Sequence, residues 1–219
     1  MRNAPFRRFC ESHATRLQIT PLQRLQGWGL LAIMLWLPGL GGALKQSMLT
    51  HMGVQVSLLV VAGYGLGRAL LARRPEHLET ARRYRWSLML IAVFTLMVWM
   101  LPRLLDLAVD RLEVDLLKAL SLVLCAGVPL AWAWPQLPLV AQGVLHLEAL
   151  ATLWRMGWLY LDSPSRLCLS YGLADQHSLG QGLMTAGLVY ALWLTFTVLR
   201  GQAVPLQTPH VNTPLPRMH

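Results

Sequence analysis

Apolar residues in this chain come in long runs instead of alternating with polar ones. Residues 25–44, 46–67, 86–102, 119–147 and 178–199 contain no Asp, Glu, Lys or Arg. A helix needs about 20 apolar residues to cross about 30 Å of hydrocarbon, the length that four of these runs approach. The run from Ala119 is too long for one crossing and carries Pro129, Pro135 and Pro138, so it divides near Trp134 into two helices. The pattern predicts an all-α polytopic membrane helix bundle with six transmembrane helices, near 25–44, 47–71, 84–105, 116–133, 138–160 and 178–199. Around them stand a basic N-terminal arm (1–24) and a Pro-rich tail (201–219), leaving 25–200 as the membrane domain.

Composition points the same way. Of 219 residues, 55% are hydrophobic and 13% charged, with a mean hydropathy of +0.45, which excludes an ordinary soluble domain. A net charge of +9 would suit nucleic acid, but the basic residues flank apolar runs and form no patch interleaved with polar aromatics. They read as topology. Arg2, Arg7, Arg8, Arg16 and Arg24 precede the first run, Arg68, Arg73, Arg74, Arg82, Arg83 and Arg85 separate the second from the third, and Arg200 and Arg217 follow the last. The positive-inside rule makes these segments, and so both termini, cytoplasmic.

Lys45 and the segments 103–118 and 162–177 then fall on the outer side. Leu105, Val109, Leu112 and Leu116 keep helical spacing among Asp106, Asp110, Arg111 and Glu113, which predicts a short helix lying on the outer surface with its polar face solvated. His77, in the basic loop, reads as a solvated residue. Cys10, Cys125 and Cys168 lie far apart without a CxxC, so no disulfide framework is expected. The first run has full span length and no small-residue cleavage site, unlike a signal peptide.

Ionisable residues in hydrocarbon cost a few kcal/mol each, so they tend to face a bundle interior and often mark a site. Met48, His51 and Gln55 share one stripe of the second helix, with Met52 beside it. In the fifth helix His146, Leu150, Leu153 and Gly157 share one face while Glu148 and Arg155 share the opposite one, an arrangement expected to be packed centrally. Asp175, Gln176 and His177 open the sixth, where Asp175 also suits an N-cap. Gly63 and Gly67 form a small-xxx-small pair that admits a close neighbour helix. In this topology the polar ends of the second, fifth and sixth helices converge on the outer side. Histidine nitrogen with methionine sulfur suits copper, Cu(I) above all, whereas facing histidines such as His51 and His146 suit a b-type haem. His210, Met218 and His219 in the tail are weaker copper donors. There is no HExxH, no GxSxG and no visible inverted repeat, against an intramembrane enzyme or transporter built on Glu148, Arg155 and Asp175.

The segment from His146 through Gly157 and Trp158, then Tyr171, then DQHSLGQGLM from Asp175 to Met184, resembles the CtaG-like cytochrome c oxidase assembly factors, and His51-Met52 resembles the start of their HMxxH motif. The second His of that motif is replaced by Gln55, and six helices are expected where the family has about seven. The resemblance covers about residues 48–199. It implies a non-catalytic assembly factor of the respiratory chain in a bacterial-type inner (cytoplasmic) membrane, working with oxidase subunits and lipid and not with nucleic acid. Met48, His51 and Met52 would bind Cu(I), with His146 and His177 as further candidate ligands. Asp175 and His177 would line the entrance, Glu148 with Arg155 would hold the core, and Gln55 and Gln176 would belong to the same polar network, unless the divergent scaffold has changed or lost its metal. The alternative is an integral membrane subunit of a respiratory electron-transfer complex, either structural or holding haem b.

Overall fold

The computed structural model of the chain describes residues 21–36, 46–164 and 171–200. The arm before Pro21, Lys45 with the glycines preceding it, Cys10, Cys168 and the tail with His210, Met218 and His219 lie outside the described residues. Every element described is helical. α1 is Pro21–Trp36, α2 Leu49–Arg73, α3 His77–Arg83, α4 Arg85–Trp99, α5 Pro102–Asp110, α6 Leu112–Gln136, α7 Leu139–Asp162 and α8 Leu173–Leu199. The first helix thus begins inside the expected arm, with Pro21 where a missing N–H costs nothing.

Among the described residues α2, α6 and α8 are long and apolar enough to cross a membrane, and α4 with Arg103–Asp110, bent by 73°, would make a fourth span. The bend falls where the chain turns extended at Leu101 ahead of Pro102, the conformation favoured before proline.

Two helices form the axis. α2 and α6 run parallel and touch backbone to backbone, because a Cβ on Gly127 would sit 2.6 Å from Gly63 Cα and one on Gly67 would meet Val128 Cα at 3.0 Å. The small-xxx-small pair thus does what its spacing suggests. α1 lies on α2 with Trp28 over Gly65, α4 packs on α6, and Leu35, Leu59, Trp99, Leu122 and Val123 meet in one core cluster. α7 and α8 form a second pair around Gly157 and Gly180, where a Cβ on Gly180 would lie 3.0 Å from Gly157 O.

One boundary differs from the sequence expectation in a way that matters. The segment 103–118 is not one surface helix: it breaks at Arg111, which is extended, and α6 starts at Leu112. Leu105, Ala108, Asp115 and Lys118 are all buried. Asp110, Arg111 and Glu113 are exposed as a solvated face requires, while Asp115 and Lys118, further along, pair with each other inside the bundle.

The glycine contacts can be tested directly. Gly63→Val should destabilise the protein by about 1–3 kcal/mol, since its side chain meets Val123 backbone. Gly143→Ala, with nothing within 4 Å of the added carbon, should be neutral or stabilising by up to about 1 kcal/mol through helix propensity. Unfolding free energies in detergent check both, and equal losses would contradict the crossing.

Candidate functional site

At the end of α2 that carries His51, the helix opens with π-helical hydrogen bonding over Leu49–Gln55, an irregularity often found at functional sites. Met48, His51, Met52 and Gln55 are buried there on its inward face. Opposite stands the first part of α6. Lys118 Nζ lies 2.9 Å from Asp115 Oδ1, three residues away on the same helix, and 3.4 Å from both His51 Nε2 and Gln55 Oε1. Lys118 is 0% exposed and Asp115 1%. Burying either charge alone costs several kcal/mol, so the two are tolerable only together and with further hydrogen bonds. With Lys118 as an ammonium, which carries only donors, the pairing requires His51 to accept at Nε2. Gln55 passes the network on, its Nε2 donating to Leu35 O at 3.0 Å, so one chain of contacts ties α1, α2 and α6.

A second layer joins this cluster to α7 and α8. Met48, Met52, Leu105, Tyr160 and Leu179 pack as one apolar group, and the Tyr160 hydroxyl donates to Met52 Sδ at 3.9 Å. The Gln176 amide donates to Tyr160 O at 3.3 Å, and the Tyr171 ring lies 6.4 Å from that of His51. Gly182 allows the approach, since a Cβ there would sit 2.6 Å from Leu49 Cδ1. The stretch around His51 and the stretch from Asp175 to Met184 are therefore in contact.

The remaining predicted residues lie elsewhere. His146 keeps its expected face with Leu150, Leu153 and Gly157, but its Nδ1 pairs with the Tyr190 hydroxyl at 2.6 Å and its ring meets Trp134 edge-on at 5.0 Å. It lies 14 residues before Tyr160 on α7, or about 21 Å along the helix from the level of Met52. Glu148 and Arg155 form an ion pair with each other on an exposed face, so α7 is not enclosed on both polar sides. An ion pair that satisfies itself does not require central packing. His177 is exposed, one residue off the face formed by Gln176, Leu179 and Gly180. Asp175 is half-buried in the first turn of α8, whose N-cap is Gly172 instead.

Asp115 and Lys118 are the site residues the sequence reading left out. Their signal was present: opposite charges at i,i+3, on the side of the helix away from the exposed Leu116, Leu117 and Leu120. Among the described residues no three His, Cys, Asp or Glu side chains are grouped to hold a metal, so any ion at this end would depend on methionine sulfur.

Fold and site together define an all-helical bundle with membrane-length spans and a charged cluster sealed inside it. Compared with known protein families, curated proteins and solved structures, the chain matches none.

Removing one partner of the buried pair should be costly and removing both should not. Lys118→Met is expected to lose about 3–5 kcal/mol of stability, and the double variant Asp115→Leu with Lys118→Met less than either single change. A double-mutant cycle on denaturant unfolding in micelles reads this. Additive losses would show that the two charges are not coupled.

Proposed function

We propose that the chain is an integral protein of a bacterial-type inner membrane, crossing it six times with both termini cytoplasmic, that handles copper during assembly of a haem-copper oxidase. Supporting this reading is one juxtaposition. The two stretches that resemble the CtaG-like factors, around His51 and from Asp175 to Met184, are far apart in sequence and packed together in space.

Their meeting encloses Met48, Met52 and His51, two thioethers and an imidazole, a donor set that suits Cu(I). Gln55, in place of a second histidine, is a poor ligand for a soft ion. The His51 nitrogen facing the cluster is held by Lys118, so copper can use it only when the ammonium swings away. A carrier must also give up its ion, and a seat whose own cation returns as copper leaves suits transfer better than storage. Lys118 thus acts as a displaceable plug. A b-type haem between His51 and His146 has no such support, because the two histidines are engaged at different levels of the bundle.

Cu(I) titration of purified protein against a chelator tests the reading. The wild type is expected to bind one ion, His51→Ala to lose it, and Met48→Leu with Met52→Leu to weaken it by about tenfold or more, each thioether counting as a ligand. The double variant Asp115→Asn with Lys118→Met, at the same pH, is expected to bind more tightly than wild type. No Cu(I) binding by wild type, or binding that survives His51→Ala, overturns it.

A further inference from the structure

At the opposite end of α2 the structure holds a second feature, unconnected with the His51 cluster. A cavity of about 400 Å³ is lined by Leu70, Arg73 and Arg74 of α2 and its end, His77 of α3 and Trp132 of α6. Its Trp132 wall is fixed, since the indole Nε1 donates to Gly67 O at 2.9 Å and the His77 ring stacks on the indole at 5.7 Å and 15°. The sequence reading of His77 as simply solvated is therefore incomplete: it is half-buried and shapes this cavity. Arg73 and Arg74 are exposed at the mouth, and among the described residues neither forms an ion pair with a carboxylate. The surrounding segment adds Arg68, Arg82, Arg83 and Arg85 against only Glu76 and Glu79, and neither glutamate lines the cavity.

We propose that this cavity is a binding site for the phosphate of an anionic phospholipid headgroup. The argument needs only that α2 spans the membrane; it does not depend on copper. Two guanidinium groups offer the forked donors that match a phosphate's oxygens, a geometry an ammonium cannot supply. Leu70 and Trp132, with His77 stacked on the indole, add an apolar part to the lining, which a freely hydrated phosphate does not need and the glycerol and first methylenes of a lipid do. The place also fits: the cavity sits at the end of a 25-residue apolar helix, with an aromatic ring of the kind found at headgroup depth. Basic pockets between helices at that depth are where acidic headgroups are held.

The test is native mass spectrometry of the full chain released from micelles doped with phosphatidylglycerol or phosphatidylcholine. The wild type is expected to retain phosphatidylglycerol in preference to phosphatidylcholine. Arg73→Gln with Arg74→Gln should weaken that retention by about thirtyfold, the scale of two juxtamembrane contacts. Arg82→Gln with Arg83→Gln, which removes equal charge outside the cavity, should change it by no more than about twofold, as distance and screening dictate. Melting temperatures without lipid confirm that both variants fold. Equal losses in the two variants, equal retention of phosphatidylcholine, or displacement of the lipid by millimolar inorganic phosphate would each overturn the proposal.

Discussion

A lysine ammonium enclosed in an apolar helix bundle sets the terms for everything near it. Lys118 has no solvent to hydrate it, so its nitrogen must be met by protein, and the partners are Asp115 on its own helix and His51 and Gln55 on α2. That requirement fixes where α6 begins. Had the helix started at Leu116, as the apolar run alone implies, Asp115 would lie in a turn and could not stand three residues before Lys118 on the same inward face. It also explains why α1 is drawn into the core, because Gln55 spends its donor on Leu35 O. A single buried cation organises three helices, and its net stabilisation relative to a well-packed apolar core is small or negative. The arrangement therefore serves specificity of register, or function, more than stability.

The glycine crossing makes that register possible. α2 and α6 are parallel, with His51 facing Lys118 at one end, Gly63 facing Gly127 in the middle and Gly67 facing Ala131 further on. Sliding one helix by a residue moves it about 1.5 Å, enough to lose the contacts of Lys118 and to take Gly63 away from the Val123 backbone that only a glycine lets so close. The π-helical stretches fall at the two critical places, Leu49–Gln55 beside the charged cluster and Leu122–Gly127 beside the glycines. Each loosens the regular hydrogen-bond ladder and shifts the helical phase of the residues beyond it.

How much of this was legible in the sequence follows from what each signal measures. Long uncharged runs register the transfer of side chains out of water, so α2, α8, most of α6 and the first part of α7 could be placed, and the division near Trp134 coincides with the turn between α6 and α7. The same signal treats any charge as a boundary. It placed Asp115 and Lys118 at the surface because a pattern of single residues cannot register a charge neutralised by a partner. Glu148 and Arg155 produced the opposite error: two charges on one helix implied an enclosed face, whereas they neutralise each other in the open. Helical phase did better. It grouped Met48, His51 and Gln55 correctly, and placed His146 with Leu150, Leu153 and Gly157 on the packed side. The partner that claims His146, Tyr190, lies 44 residues away and leaves no local trace.

The charged cluster is also a joint. α1, α2, α4 and α6 share one core, while α7 and α8 share another contact surface built on Gly157 and Gly180. Only 6% of the apolar window of α8 is buried, so this pair is held to the rest at few points. One is the group of Met89, Ala133 and Leu137 with Ala141 and Leu145 near the start of α7. Another, among the described residues, is the layer of Met52, Tyr160, Leu179 and Gln176 directly against the Lys118 network. Because Met52 neighbours His51 on one helix and accepts from Tyr160 on another, any movement of Lys118 that repacks the first turn of α2 must be felt at α7 and α8.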